Sequence, residues 1–206
     1  MAELTDTEQP TLRSRAKASR REAILRAAAR LFAQRGFHGV SLEELGSAAG
    51  ISGPGVYRHF AGKQELLAAL LLGVSEDLLE GGRTVLSQPT APEEAVRQLV
   101  TFQVRFALHN ADIIRVQDRD LSSMTEVDQQ SVRALQRDYV ELWVEALSRL
   151  HPEAPTTQLR VQAHAAFGLI NSTPHSLHTH GRSGSRIPAA TAGQVLERMA
   201  LAALLS

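Results

Sequence analysis

The stretch GISGPGVYRHFAGKQELL, from Gly50 to Leu67, constrains this chain more than any other. Glycine and proline punctuate loops, yet the flanking LEELGSAA and ELLAALLL carry helical spacing, so two helix boundaries lie very close together. Upstream, Ser41-Leu42-Glu43-Glu44 has the form of a capping box, and Leu42, Leu45, Ala48 and Ala49 give the next helix a buried face as far as Gly50. After the turn Gly50-Ile51-Ser52, the Ser52 hydroxyl is placed to cap a third helix from Gly53 to about Phe60. Pro54 sits in its first turn, where a missing N–H costs little. Two short helices joined by a glycine-containing turn form a helix-turn-helix, whose second helix presents its N-terminal residues to the DNA major groove. Val56 and Phe60, four apart, can face inward, which leaves Tyr57, Arg58 and His59 for outward work.

The distribution of charge fits that reading. The 206 residues carry 22 basic and 22 acidic side chains, but the segment from Arg13 to Lys63 holds ten Lys or Arg against three Glu, a net of +7. A basic module therefore precedes an acidic body, as duplex DNA favours. With 43% hydrophobic and 21% charged residues the composition is that of a folded protein. No apolar run approaches the roughly 20 residues that span a bilayer, and Met1 is followed by no apolar signal core; together with the absence of cysteine, this makes the cytoplasm the expected location and a membrane partner unexpected.

The rest of the chain reads as helices. Residues 1–18 lack apolar periodicity and are expected to form a disordered basic arm. Ser19-Arg20-Arg21-Glu22 repeats the capping-box form ahead of an apolar stripe through Ile24, Ala27, Ala28, Leu31 and Phe32 to Gly36. A fourth helix opens at Gly62-Lys63-Gln64-Glu65 and is expected to stop at Gly81-Gly82; its positive end and the Lys63 ammonium are both available to a phosphate. Further helices are expected from Thr90 to about His109, Ala111 to Val116, Thr125 to about Leu150, Thr157 to about Asn171 (extended or kinked at Pro174), and Pro188 to Leu205. The expectation is an all-α chain of about nine helices. Its parts are the arm (1–18), a three-helix DNA-binding domain (19–62) and a helical bundle (63–206).

The run SLEELGSAAGISGPGVYRHFAGKQELL, preceded by ILRAAARLFAQRGFHGV, closely resembles the N-terminal domain of the TetR family of bacterial transcriptional regulators. The resemblance covers about Ser19 to Leu67; beyond it the chain matches in length and helical content. It implies a homodimeric repressor, released from a pseudo-palindromic operator when a small molecule binds the C-terminal bundle, with dimerisation through the last two long helices. By position it implies phosphate contacts from Tyr57 and Lys63, helix caps near the DNA backbone at Ser41 and Ser52, and a reading surface on or near Pro54, Gly55, Arg58 and His59. This chain has Gly55 and Val56 where many members have threonine and leucine, which removes a threonine-type base contact at position 55.

An effector pocket between helices is expected around Phe102, Phe106, His109, Trp143, Phe167 and Asn171, where aromatic and polar groups interrupt apolar stretches. The INSTPHS segment resembles actinobacterial members linked to acyl-CoA metabolism, which points to a small hydrophobic or acyl-CoA-like effector. His175, His178 and His180 have spacing that two metal ligands could share, but no cysteine or carboxylate cluster completes a site, so neither metal nor cofactor is expected. Catalysis has no motif: Gly50-Ile51-Ser52-Gly53-Pro54 departs from G-x-S-x-G at its last position, and no H-E-x-x-H, Walker A or dinucleotide fingerprint occurs. The alternative reading is a helical adaptor whose basic module binds another protein.

Overall fold

The computed structural model describes residues 12–179 and 188–206, with side chains described for 13–172 and 188–206. Nine α-helices are present among these residues: α1 (Leu12–Arg35), α2 (Leu42–Ala48), α3 (Gly53–Val56), α4 (Lys63–Leu86), α5 (Pro92–His109), α6 (Ala111–Asp120), α7 (Glu126–Leu150), α8 (Thr156–Thr179) and α9 (Ala189–Leu204). A 3-10 turn, Leu121–Ser123, links α6 to α7. The described residues contain no strand, so the all-α expectation holds. No described helix is long and apolar enough to cross a membrane.

Several boundaries differ from those expected. Residues 12–18, assigned above to an arm, already belong to α1. The segment LRSRAKA is made largely of strong helix formers, so the S-x-x-E pattern at Ser19 falls inside the helix, where Glu22 pairs with Arg26 one turn on. Residues 1–11 lie outside the described residues. The third helix is a single turn, Gly53–Val56, followed by turn structure rather than a helix reaching Phe60. The helix α8 passes Asn171 and ends at Thr179. The side chains of His175 and His178, and all of His180, lie outside the described residues.

The largest difference is at Gly81-Gly82, which does not end α4. A Cβ on Gly81 would stand 2.3 Å from the Phe102 ring, and one on Gly82 would stand 2.7 Å from the Tyr139 ring. The glycines are where α5 and α7 press their aromatic rings onto the α4 backbone. Tertiary contact thus outweighs the helix-breaking propensity of the pair.

Two apolar cores result. The first joins Ile24, Phe32 and Phe37 to Leu45 of α2, Val56 of α3 and Leu66 to Leu71 of α4, and it also takes Val116 of α6 and Val132 of α7. The second gathers Leu79, Leu99, Ile114, Trp143, Leu147, Leu159, Ile170 and Leu196 from α4, α5, α6, α7, α8 and α9. Helices α4, α6 and α7 therefore contribute to both. Gly82→Val is expected to force the Tyr139 ring aside and cost about 1–3 kcal/mol, whereas Gly73→Ala, whose Cβ would meet nothing within 4 Å, should gain up to about 1 kcal/mol from helix propensity. Urea denaturation of the two variants beside the wild type measures both.

Candidate functional site

The short α3 is held by what lies beneath it. Val56 and Phe60 are fully buried in the first core, and backbone N–H groups of His59 and Phe60 both donate to the Val56 carbonyl, at 2.9 and 3.0 Å. With that side anchored, Ser52, Pro54, Tyr57 and Arg58 are left on the surface, Tyr57 at 55% exposure. Ser52 occupies the N-cap position, but its hydroxyl makes no capping bond; the turn is closed by Gly55 N–H donating to the Ser52 carbonyl at 2.7 Å. A Cβ on Gly55 would lie 2.6 Å from Ile51 Cγ2, so Gly55 faces its own turn and makes room for Ile51. Gly46 in α2 has the same part on the facing helix: a Cβ there would meet the Ile51 carbonyl at 2.8 Å and Val56 Cγ2 at 3.0 Å.

His59 is half-buried, and its Nδ1 is buried without a hydrogen-bond partner. Burial lowers its pKa first, and Lys17, Arg20, Arg21 and Arg58 lower it further, so the ring is neutral at neutral pH. These cations mark residues missed in the sequence. Lys17, Arg20 and Arg21, expected in an arm or at a helix start, fall on one helix because α1 begins at Leu12, and line up there at i, i+3 and i+4 near His59. Arg21 lies over the Phe60 ring at 4.9 Å. Their helical spacing was the available signal. With Arg58 they make a cationic face around His59.

The corner between α1 and α2 is fixed by polar contacts. Ser41 caps α2 as expected: its hydroxyl accepts from Glu44 N–H at 3.2 Å, and Glu44 Oε2 accepts from Ser41 N–H at 2.8 Å. Arg35 donates to Glu44 Oε1 at 2.7 Å and to the Gly39 carbonyl at 2.6 Å. These contacts, led by the Ser41 backbone N–H and followed by Arg35, pull the Glu44 carboxyl down to about 2. Lys63 closes the corner from α4: its ammonium donates to the carbonyls of Phe37 and Val40 at 2.9 and 2.8 Å and lies 4.7 Å from the Phe37 ring centre. Two of its three N–H groups are thereby engaged by carbonyls. From the other side, Arg119 of α6 donates to the carbonyls of Phe32 and Ala33 at the end of α1 while held by the buried Asp120 carboxylate at 2.8 and 3.1 Å.

In the helical body the six expected effector residues divide. Phe106 and Asn171 line a cavity of about 50 Å³ enclosed by α4, α5, α6, α7 and α8. Trp143 and Phe167 stand behind it: Phe167 stacks on Tyr139 at 5.6 Å and meets the edge of Trp143 at 4.9 Å. Trp143 is fully buried core. Phe102 covers Gly81, and the exposed His109 is turned to its own helix, with Nδ1 2.7 Å from the Arg105 carbonyl; neither reaches the cavity. Gln103 and Tyr139, which are not among the six expected residues, carry a buried relay. Tyr139 O–H donates to Gln103 Oε1 at 2.8 Å, and Gln103 Nε2 donates to Asn171 Oδ1 at 3.0 Å. Burial pushes the Tyr139 phenol upward, so it stays protonated and able to donate. A lone amide within the apolar run LVTFQV was the signal for Gln103. No group of three His, Cys, Asp or Glu among the described residues could hold a metal ion.

Ser41→Ala should lower stability by about 1 kcal/mol through loss of the cap. The Glu44 carboxyl is depressed on folding from its ordinary 4.5 to about 2, so its contribution is complete above pH 4.5 and lost as pH falls to about 2. The stability gap between wild type and Glu44→Gln, followed by denaturant titration, is expected to close over that window.

Comparison with known proteins matches both parts of the chain. Residues 24–70 fit the family model for bacterial regulatory proteins of the tetR family, and residues 89–199 fit that of the tetracyclin repressor-like C-terminal domain. The HTH-type transcriptional activator FasR of Mycolicibacterium smegmatis is 33% identical over 97 residues, covering 47% of this chain and 44% of its own. The HTH-type transcriptional repressor KstR2 of Mycobacterium tuberculosis is 27% identical over 134 residues, covering 64% and 66%. The chain thus spans less than two thirds of the length of either relative. The crystal structure of AibR in complex with isovaleryl coenzyme A and operator DNA superposes with a TM-score of 0.69 at 21% identity, over 87% of this chain and 97% of that one, and shares its fold. With one family model lying on the helix-turn-helix and the other on more than half of the chain, this protein belongs to the TetR family of bacterial regulatory proteins.

Proposed function

We propose that this chain is a ligand-responsive DNA-binding transcriptional regulator and not an enzyme: a cytoplasmic homodimeric repressor that leaves a pseudo-palindromic operator when a small molecule enters its helical body. The observation that carries the reading is the cationic face itself. Tyr57 and Arg58 stand exposed on a turn whose other side is pinned by Val56 and Phe60, with Lys17, Arg20 and Arg21 alongside. Such a face offers phosphate contacts from the cations and the Tyr57 hydroxyl, and base-edge contact from Arg58. Residues 19–62 are taken as the DNA-binding domain, extended upstream by the first turns of α1, and 63–206 as the effector and dimerisation domain.

Lys63 acts in two ways under this reading. Its ammonium holds the carbonyls of Phe37 and Val40, which fixes the angle between α1 and α2, and its remaining N–H faces a phosphate. Dimerisation is assigned to α8 and α9, where Val161, Val195 and Met199 are exposed at 67%, 38% and 49%. Isovaleryl coenzyme A in the AibR complex supports an acyl-CoA-like effector for this chain.

Selection from randomised duplexes is expected to return an inverted repeat whose half-sites are about 34–36 Å apart or a multiple of that, bound by a species that sediments as a dimer. A site without inverted symmetry, or a monomer at micromolar concentration, overturns the reading. Lys63→Ala should weaken binding to operator and scrambled DNA alike, reduce the salt slope by about one, and lower the melting temperature because two carbonyls lose their donor. Arg58→Ala should instead change base preference at one position of each half-site while leaving the melting temperature unchanged.

A further inference from the structure

The cavity between α4, α5, α6, α7 and α8 carries more chemical information than its position. Its polar lining is Ser75, Gln103, Gln117, Gln136, Tyr139 and Asn171, and the remaining lining is aliphatic or phenyl; no Asp, Glu, Lys, Arg or His contributes. An ionised ligand group placed there would lose its hydration and meet no counter-charge. The relay is also directional. Tyr139 donates to Gln103 and Gln103 donates to Asn171, so the oxygens of both amides already accept, while Asn171 Nδ2 donates to no described residue. With both amides turned over, Gln103 would donate to the phenol oxygen and the buried Tyr139 O–H would have no acceptor in the relay, which sets the direction. Among the described residues the relay therefore ends at the Asn171 amide N–H, on the cavity wall.

Resting on the reading above as an effector-controlled regulator, we propose that this cavity recognises the uncharged carbonyl end of the effector, an amide, ester, thioester or ketone, whose oxygen accepts from Asn171 Nδ2. About 50 Å³ admits a group of a few heavy atoms. The remainder of the ligand has an exit. The cavity shares the wall residues Val74 and Ile113 with an outer cleft of about 450 Å³, lined by Leu25, Arg26 and Ala29 of α1 and also by charged and polar groups at Glu22, Arg30, Asp77, His109 and Asp112. A ligand anchored at Asn171 with its tail across Val74 thus wedges between α4 and α1. It would also touch Ile113, Ile114 and Gln117 on α6, the helix whose Arg119 holds the end of α1. Ligand identity and DNA release are linked through these two helices.

The test uses the full chain and three probes of equal chain length: hexanamide, hexanoate and hexylammonium. Melting temperature and calorimetric titration are expected to show binding of hexanamide, with the two ions at least about ten-fold weaker because each buries an uncompensated charge. Asn171→Leu should lose the hexanamide response by a similar factor. Asn171→Asp, nearly isosteric, should reverse the preference and select hexylammonium. Hexanoate or hexylammonium binding the wild type as well as hexanamide, no response to any probe, or an undiminished response in Asn171→Leu would each overturn the proposal. Operator binding measured on the same preparations without probe keeps this outcome separate: DNA binding with no probe preference defeats only the carbonyl assignment, and probe preference with no DNA binding defeats only the regulator reading.

Discussion

The arrangement depends on α4 being one unbroken helix that belongs to two cores. Leu66, Leu67, Leu70 and Leu71 hold it to the helix-turn-helix, and Leu79 holds it to the helical body. Leu71 and Leu79 lie about 12 Å apart at a rise of roughly 1.5 Å per residue, and Val74, Ser75 and Leu78 of the cavity wall fall between or beside them. A backbone hydrogen-bonded at every turn transmits a tilt far better than it absorbs one. Whatever displaces the middle of α4 must move one core against the other, and the close seating of Phe102 on Gly81 and Tyr139 on Gly82 makes the body the heavier anchor.

Local chemistry was legible where it was locally decided. The capping box at Ser41 follows the break at Gly36, whose φ of 81° ends α1, so the side chain settles the start of α2. The same letters at Ser19 follow Leu12 to Ala18, whose propensity is helical, and the helix runs through them. Gly81-Gly82 misled for the opposite reason: the ring contacts that hold the helix there come from Phe102 and Tyr139, some 20 and 57 positions away in the chain. The spacing of Val56 and Phe60 alone puts Tyr57 and Arg58 outward, where they stand, but it puts His59 there too, and that ring is half-buried with its Nδ1 enclosed. The relay through Gln103, Tyr139 and Asn171 was only partly visible, since pairing over 36 and 68 positions leaves no local pattern.

The basic charge of the N-terminal segment is also not all of one kind. Arg35 is committed to Glu44 and the Gly39 carbonyl, and Lys63 to the carbonyls of Phe37 and Val40. These cations set the angles between helices. The net +7 read from the sequence therefore mixes charge engaged within the helix-turn-helix with charge left exposed, as at Lys17, Arg20, Arg21 and Arg58.

Because Val116 of α6 and Val132 of α7 complete the core around Phe32 and Leu45, the helix-turn-helix is not a self-sufficient cassette. Cut after residue 62, it would lose Leu66 to Leu71 together with the wall that α6 and α7 supply, and its remaining short helices could not shield their apolar faces. Heat or denaturant should take both cores apart in one cooperative step, since neither can open without exposing helices that the other needs. Exchange of such cassettes between relatives would then succeed only when the seam along α4 and α6 travels with them.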